Sequence, residues 1–98
     1  MFIASRVFTR PNTNVSYYKY PAAYVKYHAE KYQNTHLVNS TLTLSEDRLA
    51  RTSVNMYVSE EAFNTVANDP VVMNAWAQRD AYNTANGIVV TDLKTVVI

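Results

Sequence analysis

Four residues of this 98-residue chain have side chains and spacing suited to holding a small polar molecule: Arg6, Arg51, Asn55 and Tyr57. The segments Phe2–Thr9 and Leu49–Val58 are rich in β-formers and alternate, so both read as strands. Strand residues two apart share a face, so Arg51, Asn55 and Tyr57 point the same way and Ser53 between them leaves room. Arg6, on the neighbouring central strand, adds a fixed positive charge whose planar donor fork suits a carboxylate or enolate oxygen. Tyr57 can donate a hydrogen bond, and Asn55 can both donate and accept. The same alternation adds Phe2, Phe8, Asn39 and Thr41, and predicts this mixture to be the open face of a sheet. It is too apolar for a fully wet surface and too polar for a dry core. A partly buried Arg6 or Arg51 needs a carboxylate, a phosphate or a bound anion. A salt bridge across a dimer interface competes with a ligand for that role. Nothing on this face is an obvious general base, so the expectation is binding without fast turnover.

The other chemistry-bearing residues read more plainly. His28 and His36 are the only histidines and lie eight apart, flanking a helix end. A metal centre usually needs three or more protein ligands, and Glu30 is the one nearby carboxylate, so no metal is expected. Glu60 and Glu61 diverge by about 100° around a helix, which makes them dipole-complementing charges rather than an acid–base pair. Tyr17-Tyr18-Lys19-Tyr20, Lys26-Tyr27 and Lys31-Tyr32 interleave aromatics with cations, as single-strand nucleic-acid binders do. The same pattern arises when tyrosine rings pack on a sheet and lysine stems cover apolar surface. A net charge of +1 argues against nucleic acid as the partner. Trp76, at helical spacing with Val72, Ala75 and Arg79, is expected mainly to pack.

Composition removes whole classes. A single glycine, Gly87, excludes phosphate-cradling loops, and with them kinase, NTPase and dinucleotide-binding readings; no cofactor is expected. Zero cysteines exclude disulfides, thiolate metal sites and cysteine nucleophiles. No apolar run approaches the roughly 18 residues that span a bilayer, so no membrane partner is expected. The N-terminal residues Met1 to Arg6 do not form a secretory leader, which predicts a cytoplasmic protein. Thirteen valines, eleven alanines and twelve aromatic residues supply enough apolar surface for one folded domain, 1–98.

The elements that must position these residues follow from the pattern. Arg10 to Asn14 breaks the first strand, and a helix is predicted from Pro21 to Gln33, with Pro21 in its first turn. Leu37–Leu44 reads as a second strand, joined to the third by the polar turn Ser45–Arg48. Ser59 caps a helix that breaks at Asn68-Asp69-Pro70. There Asp69 caps a continuation towards Asn86, and Gly87 supplies the left-handed C-terminal position. A last strand runs from Val89 to Ile98. The order β-α-β-β-α-β is that of an α+β ferredoxin-like fold: four antiparallel strands with both helices on one face, the second helix broken near Pro70.

This order, with the run Val58-Ser59-Glu60-Glu61-Ala62-Phe63 followed by Asn68-Asp69-Pro70, resembles the dimeric α/β-barrel superfamily. Antibiotic-biosynthesis-type monooxygenases and stress-responsive barrel proteins belong to it. The resemblance implies a homodimer whose sheets pack face to face around a cavity that takes small organic molecules, quinones or haem. Members that degrade haem or work without a cofactor commonly place an Asn on the first strand, a Trp in the second helical region and a later His. This chain has Ser5 and Arg6 on its first strand, Trp76 in the second helical region, and no histidine after His36. The leading expectation is therefore a non-enzymatic barrel protein for assembly or small-ligand binding. The alternatives are a cofactor-independent monooxygenase or isomerase acting in the cavity, and a nucleic-acid or protein-binding module built on the Tyr/Lys-rich first helix. A cavity of about 300 Å³ or more, closed and lined by Arg6, Asn55 and Trp76, favours the enzyme over the binding protein.

Overall fold

The structure is a computed structural model that describes all 98 residues, the side chain of Asp92 excepted. Phe2–Thr9 (β1), Leu37–Leu44 (β2), Ala50–Tyr57 (β3) and Val89–Val97 (β4) form one antiparallel sheet in the order β2-β3-β1-β4. Ala22–Tyr32 (α1), Glu60–Ala67 (α2) and Pro70–Ala85 (α3) pack on one of its faces. The predicted ferredoxin-like order is the observed one, and every predicted boundary falls within one residue of its element.

The helix ends carry the chemistry their residue types suggest. Ser59 Oγ accepts from the Ala62 amide at 3.1 Å, and Glu60 and Glu61 fill the first turn of α2. Asp69 separates α2 from α3, its Oδ1 accepting from the Val71 amide at 2.9 Å with Pro70 at the start of the new helix. At the far end Gly87 takes a φ of 71°, and the Ile88 amide reaches back to the Asn83 carbonyl at 2.9 Å. That is the left-handed ending glycine permits without steric cost.

The core joins Phe2, Ala4 and Tyr57 of the sheet to Tyr32, Val66 and Val72 of the helices. This corrects the expected orientation of the sheet. Alternation does group Phe2, Arg6, Phe8, Arg51, Asn55 and Tyr57, but the helices cover that face instead of leaving it open. The reason is physical: alternation sorts residues into two faces without saying which one the helices bury. Arginines misled the choice, because their apolar stems pack well while the charged heads line a cavity. The open face instead carries Ile3, Val7, Val54 and Met56, half-buried, with the exposed Val89 and Val96 of β4.

A second correction concerns β2. A register shift between Leu37 and Asn39 sets Thr41 opposite Val54, so Thr41 faces away from the helices. Asn39 pairs with Met56 and is among the residues that border the cavity. Ser40 takes the position expected of them and donates to Asn55 Oδ1 at 2.6 Å. Leu42, opposite Ser53 on the helix side, is 62% exposed.

Candidate ligand cavity

A cavity of about 730 Å³, open to solvent, lies between the sheet and the helices. Arg6 and Phe8 of β1 with Arg51, Asn55 and Tyr57 of β3 form its floor. Tyr24 and His28 of α1, and Trp76 and Arg79 of α3, form its roof. All four sequence-nominated residues therefore line one space, although on the opposite face of the sheet from that expected. Tyr17 and Tyr20, from the segment after β1, also line it.

Aromatic rings hold the three cavity guanidiniums. Arg51 stands 4.5 Å from the Tyr17 ring centre and 6.0 Å from that of Phe8. Arg10 lies 4.6 Å from the centre of the same Tyr17 ring, and the Tyr17 hydroxyl donates to the Leu49 carbonyl at 2.7 Å. Tyr17 is thus fixed between two cations, which anchors the irregular segment to the sheet. Arg79 lies 5.7 Å from both the Phe8 and Trp76 rings and donates to the Tyr20 hydroxyl at 3.1 Å. Arg6 lies 6.0 Å from Trp76.

Burial pushes the Arg6 guanidinium below its ordinary pKa, and the charge of Arg79 adds to that fall. Burial does the same to Arg51. Both remain cations at neutral pH, as arginine does throughout proteins. Burial also raises Tyr57, against the pull of Arg6, and raises Tyr24, so both phenols are protonated donors. The His28 imidazole is lowered by burial, with the Asp69 charge opposing, and is neutral near pH 7.

Sequence reasoning missed Arg79, Tyr24 and His28. Their signal was helical spacing: Arg79 follows Trp76 by three residues and His28 follows Tyr24 by four, so each pair shares a face. Tyr20, Tyr24, Tyr27 and Lys31 are also three or four residues apart, yet they divide in two. Tyr20, Tyr24, His28, Tyr32 and His36 stack in a ladder with ring centres 4.9, 5.8, 5.6 and 5.2 Å apart. Tyr27 and Lys31 turn instead to Asp69. Apart from Lys26, which lies exposed beside Glu30, the interleaved aromatics and cations are thus spent on the cavity wall and on a helix–helix contact.

Trp76 serves two purposes, where packing was expected to be the main one. It lies against the core and lines the cavity, half-buried. Trp76→Ala is expected to cost about 2 kcal/mol in urea unfolding, below the ~3–5 kcal/mol of a fully buried tryptophan.

No protein-family model matches the chain, and no curated protein sequence matches it. Among solved structures it is similar to that of a proposed antibiotic biosynthesis monooxygenase from Deinococcus radiodurans. The two share 15% identity and superpose with a TM-score of 0.56 over 98% of this chain and 88% of the other. The likeness is one of fold: this chain has the ferredoxin-like architecture of that protein. Within the fold, no helix is long and apolar enough to cross a membrane. Among the described residues, no group of three or more His, Cys, Asp or Glu side chains is placed to hold a metal ion.

Proposed function

We propose that this chain binds a small aromatic molecule in the cavity between its sheet and its helices. The observation that carries this reading is the convergence of Arg6, Asn55 and Trp76 on one cavity of about 730 Å³, a volume typical of small-molecule sites. Aromatic walls supply apolar contact, and the guanidiniums, the Asn55 amide and the Tyr57 hydroxyl fix orientation. A thermal-shift screen of small aromatic compounds on wild type, Arg6→Ala and Asn55→Ala is the test. Compounds that stabilise wild type are expected to lose that effect in both variants. Stabilisation that survives both substitutions contradicts the reading.

The reading includes a homodimer joined through the open faces of two sheets and a cytoplasmic setting, where a small domain without cysteines needs no disulfide. Ile3, Val7, Val54, Met56, Val89 and Val96 form an apolar strip on that face, which supports a covering partner. Sedimentation at micromolar concentration is expected to give twice the chain mass of 11.1 kDa. A single species of one chain mass contradicts the dimer.

A second reading, cofactor-independent oxygenation or isomerisation, is favoured by His28. Its neutral imidazole borders the cavity and can take a proton from an acidic ligand, the role for which no base was found in the sequence. The cavity meets the size and lining set for this reading but is open rather than closed. The fold neighbour is consistent with it.

A further inference from the structure

We infer that the preferred ligand of this cavity is a flat aromatic molecule carrying two separate oxyanions, such as an aromatic dicarboxylate. The inference rests on the proposed binding function and specifies its ligand class. Three guanidiniums, those of Arg6, Arg51 and Arg79, border one space. Among the described residues the only carboxylate in salt-bridge contact with any of them is Asp80, 3.1 Å from Arg79 and itself largely exposed. Arg51 Nε is buried and has no hydrogen-bond partner. A buried, unpaired guanidinium nitrogen is costly, and an oxyanion at the accessible part of the same guanidinium supplies the counter-charge that Arg51 lacks. Subtracting Asp80 from the three arginines leaves two positive charges without a protein counter-ion, in a chain whose net charge is only +1.

The two charges are held apart. Phe8 pairs with Arg51 across β1 and β3, and Arg6 is two residues from Phe8, so Arg6 and Arg51 are diagonal neighbours about 7–8 Å apart at the backbone. Different rings hold their heads: Arg51 lies over Tyr17 and beside Phe8, while Arg6 lies beside Trp76 with Arg79, which also reaches Phe8. Between them the space is walled by the rings of Phe8, Tyr24 and Trp76. A planar apolar body with an anionic group at each end matches that order of apolar and cationic surface. Each guanidinium then offers a two-pronged, charge-assisted contact.

The test compares three probes of one shape by isothermal titration: naphthalene-2,6-dicarboxylate, 2-naphthoate and the neutral 2-naphthalenemethanol. The dicarboxylate is expected to bind wild type about tenfold more tightly than the monoanion and more tightly still than the neutral probe, the order set by charge-assisted contacts. Its affinity is expected to fall with added salt while that of the neutral probe holds, a measurement that needs no variant. Arg51→Gln and Arg6→Gln are each expected to reduce the dicarboxylate preference to that of the monoanion. Equal affinity for all three probes overturns the inference and leaves the binding function standing. Failure of all three to bind overturns both. A dicarboxylate preference unchanged in both variants places the anions elsewhere and overturns the inference.

Discussion

Replacing Asp69 by alanine is expected to lower the unfolding free energy by about 2–4 kcal/mol, because it removes a helix cap and leaves the buried Tyr32 hydroxyl without its acceptor. Asp69 is 7% exposed and sits where α2 gives way to α3. Its Oδ2 accepts from the Tyr32 hydroxyl, from the Tyr27 hydroxyl at 2.7 Å and from Lys31 Nζ at 3.4 Å, while Oδ1 caps α3. One carboxylate therefore starts a helix and ties α1 to it. Desolvation raises the pKa of this carboxyl, but the hydrogen bonds from Tyr32, Tyr27, the Val71 amide and Lys31 outweigh it and hold the group well below the usual carboxylate range. Tyr32, pushed up to about 12 by burial and by Asp69, remains a donor throughout.

A depressed carboxyl pKa stabilises the fold above the unfolded value, and the stabilisation fades as pH falls towards the folded value. Wild type is thus expected to lose stability progressively from about pH 5 downward. Asp69→Asn, which keeps a capping oxygen, is expected to be less stable at pH 7 and flatter across that range. Urea midpoints measured between pH 3 and 7 check both. Parallel wild-type and Asn curves contradict the assignment.

Phe2→Ala is expected to cost a similar ~3–5 kcal/mol, the range for truncating a buried phenylalanine. Phe2 opens the central strand β1 and is 5% exposed. Its ring lies 4.9 Å from that of Phe63, which meets Tyr57 at 5.2 Å, and Tyr57 is the cross-strand partner of Phe2. Three rings from β1, β3 and α2 thus form one wall of the core. Phe2→Leu keeps most of the volume and is expected to cost under about 1.5 kcal/mol. Urea unfolding with an unchanged slope measures both. An alanine variant within about 1 kcal/mol of wild type contradicts the packing described, since that is below the cost of a core cavity.

Element order was legible because the punctuation is strong and local. Ser59, Asp69-Pro70 and Gly87 each act within one turn and do in the structure what their types dictate, while Pro21 precedes the first turn of α1 instead of lying in it. Which sheet face the helices cover was not legible. Both faces of β1 carry apolar residues, Phe2 and Phe8 on one and Ile3 and Val7 on the other, so alternation supplied no preference. The displacement of Thr41 came from a one-residue register shift in β2, which leaves no mark in composition. The site was half legible. Arg6, Arg51, Asn55 and Tyr57 share a strand face and could be grouped by period two. Arg79, His28 and Tyr24 reach the same cavity from helices, and that meeting depends on tertiary packing.

The central claim is that ligand enters the space between sheet and helices. Trp76 is the chain's single tryptophan and borders that space. One indole N–H resonance in a nitrogen-15 NMR spectrum therefore reports from the cavity wall. Titration with the most stabilising compound of the screen is expected to move that resonance and the backbone amides of Arg51 and Asn55 together, saturating at one ligand per chain. A bound ligand that leaves the indole signal in place while shifting Val7, Val54 and Met56 on the open face contradicts the account.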